Sequence, residues 1–421
     1  MAGPGNKNRG RGKNSRGRVI YLDYASTTPV DADFISLQAK LTKEYWGNPS
    51  SAHRIGQRAK KLLDEAREIS AKALGARFDE IIFTSSATES NNLALKGAVN
   101  YAVRNIERFR NRIVKPKLIV SCVEHSALLK PAECLRDDGL VDLVVLPVDS
   151  SGRVDPKTVH NSLDENTILV SIIWANNEIG VVEPIEEIGK VIAEFGKNKI
   201  SKPRTPNPIP YPLFHTDAVQ AFQYVPVDVR GDGVDMLTLG AHKLYAPRGT
   251  GILYVRSGAP VIGNLDGGGQ EYGFRSSTEC VVGAYCMAKA LERAVLNRKK
   301  EAKRISALGI KLMKGIGKIE GVRHVGDPSP AGRAPHIYPF LFKGVSAEEL
   351  LYLLDEYGIA ASAGSACTTG KLEASHVLKA IQISAEEARN VIRLSLGKYT
   401  TREEIDYTVS ALVKIIKRIR G

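Results

Sequence analysis

Apolar and polar positions follow two rhythms along this chain. Short runs rich in β-branched and aromatic residues, bounded by glycine or a charged residue, read as strands. Longer stretches with apolar residues three and four apart read as helices. Val19–Tyr24, Glu80–Thr84, Lys117–Cys122, Leu143–Leu146, Ile168–Ile173, Leu213–Asp217, Asp235–Leu239 and Gly251–Val255 are strand-like. Helical spacing covers Asp31–Tyr45, Arg58–Leu74 (capped upstream by Ser51 and closed by Gly75), the stretch opening SSATES, Ile185–Phe195 and Glu279–Val295. Buried-type strands repeating with helices predict an α/β domain around a mostly parallel sheet.

From Glu301 the texture changes. A helix through Met313, strands near Val322–Val325 and Ile337–Leu341, a helix Ala347–Leu354, a strand Val391–Ser395 and a last helix Arg402–Arg420 predict a smaller α+β domain. The division expected is a basic tail at 1–18, a segment 19–30 packing on the small domain, a large domain 31–290 and a small domain 291–421. Residues 196–212 carry five prolines among basic residues and read as an extended surface loop.

Charge and composition narrow the function classes. The net charge is +13, and the first 18 residues contribute six Lys or Arg with no acid. That glycine-rich tail reads as disordered, with weak polyanion contact as its one candidate role. The remaining excess is spread thinly and implies no nucleic-acid enzyme. No apolar run is long enough to span a bilayer, and the N-terminus lacks a secretory h-region, so a cytoplasmic location is expected. Five cysteines show no CxxC pair, so an important cysteine is expected to act as a free thiol. Cys122, Cys134, Cys280 and Cys286 fall on strand or helix patterns and read as core residues.

The chemistry-bearing positions lie where strands end. Asp217 closes one apolar run, and Gly240, His242 and Lys243 follow another. Glu124, His125 and Ser126 follow a third, and Asn177 follows a fourth. In an open parallel sheet, ligands bind at that edge. Ser86, Ala87 and Thr88 open a helix directly after a strand, where free N–H groups suit an anion such as a phosphate; capping alone also explains them. Lys243 by itself reads equally as a surface lysine after a turn. Together, a lysine, an acid partner and a phosphate cradle are what pyridoxal phosphate requires. A histidine such as His125 adds a proton carrier. Neither a nicotinamide nor a P-loop pattern competes.

On these residues the chain resembles the cysteine desulfurases of the class V, fold-type I pyridoxal-phosphate enzymes. The matching stretches are YLDYASTTP, GNPSSAHRIG, IIFTSSATESNNLALKG, VEHSALL, NNEIGVV, FHTDAVQA, GAHKLYAPRG, GGGQE, GSACTTG and IRLSLGKYT, in that order from about Ile20 to Ile416. The resemblance implies a large domain with a seven-stranded sheet and a homodimer. It implies Lys243 as the cofactor lysine, Asp217 at the pyridine nitrogen, Gln220 at the phenolic oxygen and His125 over the ring. Ala87, Thr88 and His242 would hold the phosphate, with Thr278 reaching the phosphate of the neighbouring subunit. Asn177 would meet the cofactor or the substrate, Arg393 would meet the substrate carboxylate with Asn48 nearby, and Cys367 would take the sulfur. L-cysteine would become L-alanine, with sulfur passing as a persulfide to an acceptor in iron–sulfur cluster assembly or tRNA thiolation. Selenocysteine lyase is the sibling alternative, and a non-catalytic interaction or nucleic-acid-binding protein the remote one. Three departures stand out: Gly240 where many relatives have serine, Tyr272 for an arginine, and Ser277 for a glycine. His53 and His376 read as structural.

Overall fold

The computed structural model describes residues 19–105, 115–199, 212–363 and 375–421. The basic tail, most of the proline-rich insert and Cys367 with its loop lie outside these residues. In chain order the strands are β1 (Ile20–Tyr21), β2 (Ile81–Thr84), β3 (Lys117–Ser121), β4 (Asp142–Leu146), β5 (Thr167–Ser171) and β6 (Leu213–Asp217). They continue as β7 (Met236–Gly240), β8 (Gly251–Val255), β9 (Val322–His324), β10 (Ile337–Phe342), β11 (Ile359–Ala360) and β12 (Val391–Ser395).

Seven of them form one sheet in the order β2-β8-β7-β6-β5-β3-β4. β7, β6, β5, β3 and β4 run parallel, and β8 is antiparallel to both its neighbours. β2, β5, β6, β7 and β8 are buried at every position, which explains their unbroken apolar runs. Apolar clusters cover both faces. One packs Phe34, Leu62, Leu63, Phe214, Phe222 and Leu291 together; another packs Leu95, Val99, Leu128, Leu135 and Met236.

A second, three-stranded antiparallel sheet has the order β12-β10-β9. β1 pairs in parallel with β11, and Asp23 bridges to Ser395 of β12. The N-terminal segment is thereby sewn to the C-terminal part of the chain, and the Asp23 side chain is delivered beside Arg393.

Several local readings need correction. The helix read at Glu279–Val295 and the one after Glu301 are a single helix, Val281–Ile316. The polar stretch Asn297–Lys300 contains no glycine or proline to stop it, and Asn297 Nδ2 donates to the Arg293 carbonyl within the helix, so a polar stripe was read as a break. The division placed at 290/291 falls inside this helix. Gly309 sits where an added Cβ would come within 1.6 Å of the Tyr338 hydroxyl, so it lets the helix pass close to β10. The second helix begins earlier than read, at Arg54. Its cap is His53, whose Nδ1 accepts from the Gly56 N–H, and not Ser51. The structural reading of His53 matches this contact. The helix read to Phe195 continues to Lys199, so the start of the insert is helical. Cys134 and Cys280 are exposed, not core residues; Cys286 is buried and Cys122 half-buried. Cys134 lies toward the end of a surface helix, and Cys280 precedes the first turn of the long one. Among the described residues, no helix is long and apolar enough to cross a membrane, and no group of His, Cys, Asp and Glu is placed to hold a metal ion.

Candidate active site

The strands bring Asp217, Gly240–Lys243, His125 and the helix start at Ala87 to one edge of the seven-stranded sheet. Asp217 ends β6 and is 4% exposed. Its Oδ2 accepts from Asn91 Nδ2 at 2.8 Å and its Oδ1 from the Val219 N–H at 3.0 Å. Asn91 comes from the helix Ala87–Arg104, so two elements aim the carboxylate. Both donors are neutral, and burying a carboxylate favours a cationic partner.

Next to it, β7 ends at Gly240 and turns through Ala241–Lys243. The Lys243 amine donates to the Ala25 and Ser26 carbonyls, each at 2.6 Å. Burial disfavours its charge and Arg393 adds repulsion, against the opposing pull of Asp23 and Asp217. The result holds the amine at about 7. A lysine near neutrality is an available nucleophile. His242 Nδ1 lies 3.2 Å from Thr27 Oγ1. Burial and the nearby cations Lys243 and Arg248 push this imidazole down to about 4, so it is neutral at pH 7.

At the end of β2, Ser86 caps the helix Ala87–Arg104 by accepting from the Glu89 N–H. Ala87 and Thr88 occupy the first helical positions, where an N–H has no intrahelical acceptor. Thr88 is exposed. An added Cβ on Gly240 would stand 3.4 Å from the Ala87 Cβ and 3.6 Å from His242 Cδ2. Gly240 therefore faces the helix start and the histidine. A serine would fit there in ordinary contact, so the departure to glycine removes a hydroxyl without a steric reason.

His125 follows β3 and caps the helix Ser126–Asp137, its Nδ1 accepting from the Ala127 N–H at 3.1 Å. In the neutral ring this places the proton on Nε2. The capping role and the expected proton-carrying role thus use different ring atoms. Glu124 behind it is fully buried, with Oε1 accepting from Ser121 Oγ and the Ile173 N–H. Burial pushes its pKa well above the ordinary value for a glutamate. His376 Nε2 meets the Glu124 carbonyl at 2.9 Å, in keeping with its structural reading.

Gln220 is buried, donating to the Ala25 carbonyl at 2.8 Å while its Oε1 lies 3.1 Å from His336 Nε2. Burial pushes His336 down to about 3, so it acts as a neutral donor that fixes the Gln220 amide and leaves one Gln220 N–H uncommitted. A cavity of about 10 Å³, room for about one water, is lined by Tyr24, Gln220, Tyr224, Lys243 and His336 among others. A wider groove bounded by Asp149, Arg153, Pro156 and Glu187 contains none of the predicted residues.

Arg393 on β12 is 4% exposed. It donates to the Asn177 carbonyl at 2.7 Å, to Asp23 Oδ1 at 2.9 Å and to Ser26 Oγ at 2.7 Å. Asn48 and Thr278 are exposed, and neither joins this cluster. Asn48 Oδ1 accepts locally from the Ser50 N–H, and the Thr278 carbonyl accepts from Ser277 Oγ. Tyr272 turns toward Arg67, whose guanidinium lies 5.1 Å from its ring and pairs with buried Glu271 through two hydrogen bonds.

Asn91, His336 and the turn Asp23–Thr27 carry no expected role from the sequence, and Glu124 stood there only as a position after a strand. Asp23 and Ser26 stand in a quoted stretch, YLDYASTTP, but only the pairing of β1 with the far end of the chain reveals their targets. The residues fit pyridoxal phosphate: a buried carboxylate with neutral donors, a lysine near neutrality on the adjacent strand, and a helix start beside a glycine.

The family model described as aminotransferase class-V matches residues 20–408. The chain is 41% identical over 403 residues to the cysteine desulfurase IscS of Dictyoglomus turgidum, covering 96% of each. It is 36% identical to the cysteine desulfurase IscS of Methanosarcina thermophila, covering 98% of this chain and 95% of that one. Among solved structures, one described as a NifS-like protein superposes with a TM-score of 0.83 at 34% identity, covering 95% of this chain and all of the other.

Proposed function

Because the chain belongs to the class V aminotransferase family, among its NifS- and IscS-like cysteine desulfurases, we propose that it converts L-cysteine to L-alanine. The sulfur passes to Cys367 as a persulfide and then to an acceptor protein. Pyridoxal-phosphate-dependent sulfur-transfer chemistry is the family's common property; the substrate, the nucleophile and the acceptor are our reading. The observation that supports it most is Lys243, held near neutrality beside Asp217 at adjacent strand ends.

Bound pyridoxal phosphate supplies an electron sink for the bonds at Cα and Cβ of the amino acid. Lys243 would hold the cofactor, and its amine, near neutrality, would carry the Cα proton. Asp217, aimed by Asn91, would face the pyridine nitrogen as its acid partner, and Gln220 would offer its free N–H to the phenolic oxygen. His125 presents its Nε2 side to the ring. Ala87, Thr88 and His242 hold the phosphate, and Thr278 serves the phosphate of the other copy in a homodimer. Arg393, Asn177 and Asn48 receive the amino acid. Cys367 attacks the substrate sulfur as a thiolate, the nucleophilic form.

A cytoplasmic homodimer serving an iron–sulfur scaffold or a tRNA-thiolation carrier completes the proposal. Its test is alanine and sulfide release from L-cysteine by purified protein loaded with pyridoxal phosphate, with L-selenocysteine in parallel. Preference for selenium by orders of magnitude would replace the desulfurase reading with a selenocysteine lyase.

A further inference from the structure

Resting on the reading above, we propose that Asp23 is the resident counter-ion of Arg393, and that a substrate's α-carboxylate binds by taking its place. Arg393 Nη2 donates to Asp23 Oδ1 at 2.9 Å and to Ser26 Oγ at 2.7 Å, so both of its hydrogens are committed. Nη1 donates to the Asn177 carbonyl, and Nε is buried without an acceptor. A carboxylate bound bidentately needs two parallel N–H groups on one edge of the guanidinium. The end edge pairs Nη1 with Nη2, and the side edge pairs Nε with Nη2. Both edges require Nη2, so neither is open while Asp23 and Ser26 hold it.

The surroundings decide which partner yields. The Arg393 side chain is 5% exposed, and that of Asp23 is 20% exposed. Asp23 can turn to water, whereas Arg393 cannot leave. The backbone under both is fixed: Asp23 bridges to Ser395, the Ser395 N–H donates to the Leu22 carbonyl at 2.7 Å, and the Ala25 N–H donates to Ser395 Oγ at 2.9 Å. The exchange therefore involves side chains on a rigid frame. Ser26 Oγ also donates to Asp23 Oδ1 at 2.8 Å, which makes the two residues one anionic clasp. The next carbonyls of the same turn hold Lys243. One short segment thus keeps the carboxylate-binding arginine and the lysine in position before an amino acid arrives. Asp23 pairs the buried guanidinium, and an anion must outcompete it to enter.

The consequence is a measurable competition, because affinity is reduced by the fraction of protein in which the binding group is closed. Asp23→Asn keeps an acceptor for Arg393 and Ser26 but removes the charge. Holoprotein is titrated with L-alanine, which carries the amine and the carboxylate but no leaving group, and with ethylamine, which lacks the carboxylate. Binding is read from the visible absorption of the cofactor. The expected result is about tenfold tighter L-alanine binding by D23N, with ethylamine binding unchanged. Ser26→Ala removes the second Nη2 acceptor and is expected to tighten L-alanine binding less; it carries the test if D23N does not hold the cofactor. Unchanged or weaker L-alanine binding in both variants overturns the proposal, as does equal tightening of ethylamine. The functional reading fails separately, if wild-type holoprotein shows no spectral response to L-cysteine.

Discussion

Raising the pH during uptake of pyridoxal phosphate by the apoprotein tests Lys243 directly. Its amine titrates at about 7, against 10.5 for an ordinary lysine, chiefly because burial disfavours the ammonium form. At pH 7 about half the molecules would carry a free amine, compared with roughly one in three thousand for an ordinary lysine. The reactive fraction is therefore about a thousandfold larger, and it saturates above neutrality. The assay follows the growth of the visible band at constant ionic strength from about pH 6 to about pH 10, with unphosphorylated pyridoxal alongside to separate titration of the phosphate. The uptake rate should rise up to about pH 7 and level off by about pH 8. Arg393→Gln should raise the midpoint, because the Arg393 charge helps depress it; Asp23→Asn should lower it. Linkage gives a second readout. The unfolded chain binds the extra proton between about 7 and 10.5, so this group makes the apoprotein more stable as pH rises through that window, and its cost is fully present below it. A rate still climbing about tenfold per unit above pH 8 would refute the account of a buried, depressed lysine.

Other consequences follow from particular contacts. Asn91→Leu leaves Asp217 Oδ2 without its side-chain donor, and chemical denaturation of the apoprotein should show a loss of about 1–3 kcal/mol; no loss would mean that Asn91 does not support the carboxylate. Arg67→Ala strands the buried Glu271 carboxylate and should cost about 3–5 kcal/mol, whereas replacing both partners by apolar residues should cost less; equal losses would contradict the ion-pair argument. His53→Ala should cost about 1 kcal/mol as a lost helix cap, and a much larger effect in the same denaturation measurement would point to a role beyond capping. Lys243→Ala should remove the normal visible band of the bound cofactor, whereas Cys367→Ala should keep the band and lose sulfide release.

Much of the fold was legible because the strands are buried on both faces. Leu213–Asp217 and Gly251–Val255 stand out as apolar runs with the bounds the structure gives them. The strand-end positions of Asp217 and Lys243 followed from the runs Leu213–Asp217 and Asp235–Leu239, and the family motifs supplied their expected roles. What was hidden is tertiary. Asp23 and Arg393 are 370 residues apart in sequence and meet because β1 pairs with β11 and Asp23 bridges to Ser395 of β12. His336 has no motif, and its partner Gln220 lies 116 residues away. The helix Ser126–Asp137 went unread because Pro131 interrupts its pattern. The long helix Val281–Ile316 was divided at a polar stripe without glycine or proline, where Asn297 bonds back within the helix.

The central claim is that Cys367 takes sulfur from L-cysteine at a site organised by Lys243 and Asp217. The most direct measurement is mass spectrometry of the Cys367 peptide after one turnover of holoprotein with L-cysteine, with alanine quantified in the same sample. The account predicts a gain of one sulfur atom on Cys367, matched by an equal amount of alanine and absent from Lys243→Ala. Alanine formed at the wild-type rate by Cys367→Ala, or sulfur found on another cysteine instead, would contradict it.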